Sequence, residues 1–349
     1  MTNDTSATSR TFTRCFMGVL LFGLAVTAVL AVVVDPLHQF GTGRVRSILT
    51  GERDEKPALF LKTLPRATAL VLGSSKVMKL APACVTELTG FPAFNFGLSD
   101  SLVEDWVAAY DFARANSPKL DELVIGVDAE AFDPHAEVDA RLTSSKLLAP
   151  YVPGQPTRSL VSTVRALFGW QGFRYALLSL RYTLQPSARP LENYTFHSDG
   201  YLTYRVWEPE LAGGTLPSTT LIADMERRLK SSLARPTFTA LDSRRVQLFI
   251  ALVRDAHANG IRIDAAIPPI TPSLARIVDA GTVGQRLQDL DRLLRSLDAQ
   301  GVLHYAPMAT VADFGGDPHG FFDGIHMTPP NTNRFLLALF HRTRGCGVN

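Results

Sequence analysis

The chain has 349 residues, 46% of them hydrophobic and 19% charged, enough for one large domain or two smaller ones with a sizeable core. Its formal net charge of +2, with no Lys/Arg-rich block and no zinc-finger spacing, excludes an electrostatic case for nucleic acid. Three scattered cysteines, Cys15, Cys84 and Cys346, give neither a disulfide framework nor a zinc site; Cys84 and Cys346 can pair only if the fold brings them together.

In chain order, residues 1–14 read as a short cytoplasmic tail with Arg10 and Arg14. Residues 15–34, CFMGVLLFGLAVTAVLAVVV, hold no charge and as a helix span about 30 Å, the thickness of a bilayer core. A signal peptide cleaved after Ala31 is the rival reading, but the run continues through Val34 and outlasts an ordinary signal core. The expectation is an uncleaved, single-pass anchor. The arginines on either side, Arg10 and Arg14 against Arg44 and Arg46, orient it only weakly. A short tail before a large translocated domain puts residues 35–349 outside the cytoplasm.

Residues 35–65, with Pro36, Gly41, Gly43 and Gly51, read as a polar connector to a domain at 66–349. There, ATALVLG (67–73), FPAFNFG (91–97), DELVIGVD (121–128), IRIDAAIPP (261–269) and VLHYAPM (302–308) read as buried strands. Residues 104–116, 243–259 and 283–301 read as helices, the first with Trp106, Ala109, Tyr110 and Ala113 on one face. NTNRFLLALFHRTRG (331–345) reads as a terminal helix capped by Asn331. This alternation predicts an α/β fold with a mostly parallel sheet covered on both faces, three layers in all. Residues 137–240 break the rhythm with Pro150, Pro153, Pro156, Pro186 and Pro190, and read as an inserted, lid-like region.

In open parallel sheets, ligands sit beyond the carboxyl ends of the strands. Gly73, Ser74 and Ser75 follow the first strand, Gly97 closes the second, and Asp128, Glu130 and Asp133 follow the third. FFDGIHMTPPNTN, with Asp323 and His326, precedes the last helix. A serine nucleophile needs a base and a group that fixes the base's tautomer; an Asp three residues before a His supplies both from one turn. Asp317, His319, Asp323 and His326 are also metal-ligand types, so a metal-dependent hydrolase stands as an alternative. The preferred reading assigns neither metal nor cofactor.

These blocks resemble the SGNH/GDSL hydrolase superfamily. Its first block is Gly-Asp-Ser after the first strand, here GSS with Ser75 in the nucleophile place and Ser74 in the aspartate place. NFG with Gly97 matches the second block, and DGIH matches the Asp-x-x-His block near the C-terminus. The third block reads GVDAEAF, with Asp128 where the family uses an Asn oxyanion donor. Membrane-anchored bacterial variants, acting in O-acylation of envelope polysaccharides or D-alanylation of teichoic acids, resemble the chain most.

The resemblance implies Ser75 as nucleophile, His326 as base, Asp323 as its orienting carboxylate, and an oxyanion held by the N–H groups of Ser75 and Gly97, with Ser74 and Asp128 beside substrate. It implies an envelope polysaccharide or acylated glycan as substrate and a membrane-bound O-acyltransferase as partner. The chain is then placed in the inner (cytoplasmic) membrane, its bulk in the periplasm or cell exterior. The alternative is a non-catalytic protein of the same fold that binds a glycan or a partner acyltransferase; the missing Asp at position 74 and the presence of Asp128 favour it.

Overall fold

The computed structural model of the chain describes residues 4–36, 40, 42, 45, 51–63, 66–154, 164, 167–185, 194–214, 218–233, 238–279 and 282–348. Its elements are α1 (Asp4–Val34), α2 (Glu52–Thr63), β1 (Ala69–Gly73), α3 (Pro82–Thr89), β2 (Ala93–Asn95), α4 (Val103–Asn116), β3 (Glu122–Gly126), α5 (Ala140–Ser144), α6 (Trp170–Leu184), β4 (Tyr194–Phe196), β5 (Leu202–Tyr204), α7 (Trp207–Ala212), α8 (Ser218–Leu233), α9 (Ser243–Ala258), β6 (Arg262–Ala266), α10 (Pro272–Asp279), α11 (Thr282–Ala299), β7 (His304–Tyr305) and α12 (Pro329–Leu339). Arg44, Arg46, Gly41 and Gly43, and Pro156, Pro186 and Pro190 of the expected insertion, lie outside the described residues.

The chain divides into two units, residues 1–51 with 155–191 and residues 52–154 with 192–349. In the first, α1 is one unbroken helix, apolar and long enough from Arg10 to Val34 to cross a membrane. It stops at Asp35, which takes a φ of +46° and whose carboxylate accepts the Phe40 and Thr42 N–H groups. Pro36 follows and cannot extend the helical ladder. α6 packs against α1 in the same unit.

The second unit is built on a parallel sheet of five strands in the order β2-β1-β3-β6-β7. β1 and β3, ALVLG and ELVIG, are buried throughout, as central parallel strands with apolar runs must be. Their side chains alternate between two apolar clusters. Leu70, Leu72, Leu123 and Ile125 join Trp106, Ala109, Tyr110 and Ala113 of α4. Ala69, Val71 and Val124 join Val85 of α3 and Phe335, Leu336 and Leu339 of α12. β4 and β5 form a separate antiparallel hairpin.

Two sequence expectations are corrected. The terminal helix runs from Pro329 to Leu339 with Thr328 at the cap position, and Asn331 lies buried inside it. Pro at the first helical position wastes no donor. The Asn331 amide instead braces the preceding loop, accepting from the Asp317 N–H (2.8 Å) and donating to the carbonyls of Asp317 (2.8 Å) and Gly320 (3.0 Å). The stretch read as a polar connector contains α2, in which Glu52, Arg53 and Lys56 are buried. A run of charges is stable in a core when each charge finds a partner, as these do.

Beyond α12 the tail turns back, and Cys346 forms a disulfide with Cys84 on α3, Cα to Cα 5.0 Å. Cys15 is free and exposed. The bond closes a loop with a sequence separation of 262 residues. Reduction should therefore lower the unfolding free energy by roughly 2–5 kcal/mol. Denaturant titration with and without reductant measures this, with Cys84→Ser/Cys346→Ser as the reductant-insensitive control. An unchanged midpoint on reduction would show that the cross-link contributes nothing.

Candidate active site

β1 ends at Gly73, and Ser74 then caps a single 3-10 turn, Ser75–Val77. The turn drives the Val77 side chain down among the strand ends. A Cβ on Gly73 would stand 2.6 Å from the Gly126 carbonyl oxygen and 2.9 Å from Val77 Cγ2. On Gly97 it would stand 2.8 Å from Val77 Cγ2, and on Gly126 2.1 Å from Val77 Cγ1. The φ of Gly73, +145°, is also one that L side chains rarely adopt. Two strand ends, Gly73 and Gly126, and Gly97 in the loop after β2 are glycine because Val77 occupies the space their side chains would need.

Ser75 Oγ lies 2.8 Å from His326 Nε2, and His326 Nδ1 lies 2.8 Å from Asp323 Oδ2. Asp323 can only accept at Nδ1, so the neutral imidazole carries its proton there. Nε2 then presents a lone pair to the Ser75 hydroxyl. Asp323 Oδ1 also accepts the N–H groups of Ile325 (3.2 Å) and His326 (3.0 Å). Burial opposes charge on Asp323, but the bonds from His326 and Ile325 outweigh it and hold the carboxyl below its ordinary range. The arrangement can deprotonate a serine hydroxyl and stabilise the resulting imidazolium.

Ser74 and Asp128 also meet. The Ser74 hydroxyl donates to Asp128 Oδ2, and Lys76 Nζ lies 2.5 Å from Asp128 Oδ1. Burial alone would lower the Lys76 pKa; the Asp128 and Glu130 carboxylates outweigh it and push it above the ordinary lysine range. Asp128 is thus a neutralised acceptor and supplies no oxyanion donor. Nor is the Gly97 N–H open: it donates to Asn95 Oδ1 at 2.9 Å. The Ser75 N–H has no partner among the described residues. Of the metal alternative, the Asp317 carboxylate accepts the His319 N–H at 2.8 Å. Among the described residues no three His, Cys, Asp or Glu side chains form a metal-holding group. His197 is exposed and bonds Thr203 Oγ1 at 2.9 Å.

Two residues that the sequence did not single out organise the loop after β2. Asn95 donates to the carbonyls of Val77 (2.8 Å) and Leu80 (2.9 Å) while accepting from Gly97, joining that loop to the seryl turn. Lys56 of α2 donates to the carbonyls of Gly97 (2.7 Å) and Asn95 (3.0 Å). Its neighbours Glu52 and Arg53 hold Ser99, through its hydroxyl and its carbonyl respectively. The β4–β5 hairpin closes the other side: the Asn95 N–H donates to the Asp199 carbonyl (2.9 Å) and the Leu202 N–H to Met78 (3.2 Å). Tyr204 of the hairpin meets Phe322, next to Asp323, edge to face with ring centroids 5.3 Å apart. Asn95 was legible in principle, since an Asn two residues before a Gly commonly bonds the backbone ahead of it.

The chain matches no protein-family model and no curated protein.

Gly126→Ala should cost about 1–3 kcal/mol through overpacking against Val77. Val77→Ala in the same chain should return part of that loss, and a double-mutant cycle from denaturation curves measures the coupling. Strictly additive losses would deny the contact.

Lys56 gives a pH signature. Burial pushes its pKa down to about 7, with Glu52 and Asp199 opposing. Between that value and the ordinary lysine range the unfolded chain keeps a proton the folded protein has released, so stability rises with pH there. The expected slope is up to about 1.4 kcal/mol per pH unit relative to Lys56→Met. Denaturation midpoints from pH 8 to 10 check it; a flat difference would put Lys56 at an ordinary pKa.

Proposed function

We propose that the chain is a membrane-anchored, extracytoplasmic acyl esterase or O-acyltransferase of SGNH-like, three-layer architecture, acting on a cell-envelope glycan. The observation that carries this reading is the unbroken line from Ser75 Oγ through His326 to Asp323 Oδ2, 2.8 Å at each contact, between a serine and a histidine 251 residues apart. Ser75 Oγ attacks the acyl carbonyl carbon as its proton passes to His326 Nε2. The oxyanion is met by the Ser75 N–H. Collapse expels the alcohol, which takes the proton from His326 and leaves an acyl-serine. Water or a glycan hydroxyl then gives its proton to His326 and attacks the acyl carbon; as this intermediate collapses, the Ser75–acyl bond breaks and His326 returns the proton to Ser75 Oγ. Asp323 orients the ring and balances the imidazolium.

Location is supported by the apolar span in α1 and by the Cys84–Cys346 bond, since disulfides persist in oxidising compartments. The β4–β5 hairpin beside the seryl turn serves as the lid-like region. A membrane-bound O-acyltransferase is the partner this role calls for. A second reading, a non-catalytic glycan- or partner-binding protein, is favoured by one observation: the Gly97 N–H is already taken by Asn95.

A fluorophosphonate probe should label the wild type and Ser74→Ala but not Ser75→Ala. On a small activated acetyl ester, His326→Ala should lose about 10²-fold or more in turnover. Asp323→Asn should also be slower, with circular dichroism unchanged. Absence of labelling in every form would move the assignment to the non-catalytic reading.

A further inference from the structure

Among the described side chains of α6, the buried ones are small. Gly172, Ala176 and Ser179, four and three residues apart, lie on one side of the helix. On α1 the buried side chains are Ala31 and Val34, at its C-terminal end. Small residues let two helices approach closely, as in membrane-embedded pairs.

An apolar stripe lies about a third of a turn round α6 from that small face, with Arg174 and Arg181 on the side opposite the small residues. Trp170, Phe173, Leu177, Leu180 and Leu184 recur at alternating steps of three and four, which makes one stripe along the helix. Trp170 is 74% exposed, Leu177 45% and Leu184 78%. Arg174 and Arg181 run along one border of the stripe, both exposed, and α6 holds no acidic residue.

We infer that this stripe lies in the interfacial layer of the bilayer that α1 crosses, at the end where α1 stops at Val34. Trp170, Leu177 and Leu184 enter the acyl boundary, and Arg174 and Arg181 meet anionic lipid headgroups. The inference rests on α1 spanning a membrane. It follows from continuity: α6 packs against α1, and the buried side chains of α1, Ala31 and Val34, lie at the emerging end of the span, which sets the stripe beside them at the membrane surface. The composition agrees. Aromatic and aliphatic groups bordered by arginines suit a layer that is apolar below and phosphate-rich above.

The test uses the full chain with Cys15→Ser, reconstituted in nanodiscs of phosphatidylglycerol or of phosphatidylcholine. Spin labels are attached at Leu177→Cys and Leu184→Cys and, within the span, at Leu21→Cys. All three labels are expected to be relaxed by oxygen in preference to a water-soluble nickel chelate. A Leu21 label in lipid with the other two in water overturns the inference and leaves the anchor standing. A Leu21 label in water overturns both. Shielding of the 177 and 184 labels from both reagents means that a second copy or another protein covers the stripe, which overturns it too. Arg174→Glu with Arg181→Glu is expected to shift these labels toward nickel more in phosphatidylglycerol than in phosphatidylcholine; equal shifts overturn the headgroup contact.

Discussion

The isopropyl group of Val77 sits where two strand ends and the loop after β2 would otherwise carry side chains, and the geometry of the site follows from that seat. The 3-10 turn is only three residues long, so the depth of Val77 sets the height of Ser75 at its other end. The parallel register pairs Gly73 with Gly126, which brings two bare backbones level beneath the same methyl groups. Close packing leaves no slack at such a contact. His326 then has a fixed target, because its own loop is braced separately by Asn331 and by the backbone bonds of Asp323.

Around this seat the molecule buries charge. Lys76 and Asp128 neutralise each other beside Ser74, while Lys56, Glu52 and Arg53 grip the loop after β2 from below. Buried ion pairs contribute little net stability, because desolvation offsets their attraction. They do make other arrangements costly, since a displaced loop would strand an unpaired charge. The position of Gly97 is therefore set electrostatically from α2 and sterically from Val77.

Much of this was legible in the sequence for a physical reason. β1, β3 and β6 are short apolar runs bounded by turn residues, and reactive side chains gather just past such runs, so Ser75, Asp323 and His326 stood out. α2 did not, because ERDEK reads as a solvated face, and only the fold supplies the carbonyls and carboxylates that make its burial affordable. Asp128 was placed, but its neutralisation was not legible: its counter-ion, Lys76, follows a neighbouring strand, and strand adjacency is not written in the chain. Asn331 looked like a cap by position, yet Pro329 had already begun the helix. The Cys84–Cys346 pairing required the tail to reverse after α12, which no local pattern announces.

That disulfide also changes the covalent map of the site. Along the backbone Ser75 and His326 are 251 residues apart. Through the cross-link the route is short, from Ser75 to Cys84, across the sulfurs, and back from Cys346 to His326. A protease that cuts once anywhere between residues 84 and 326 therefore leaves nucleophile and base on one covalently connected molecule. A single cut in the proline-rich middle of the chain does not part the two halves of the site.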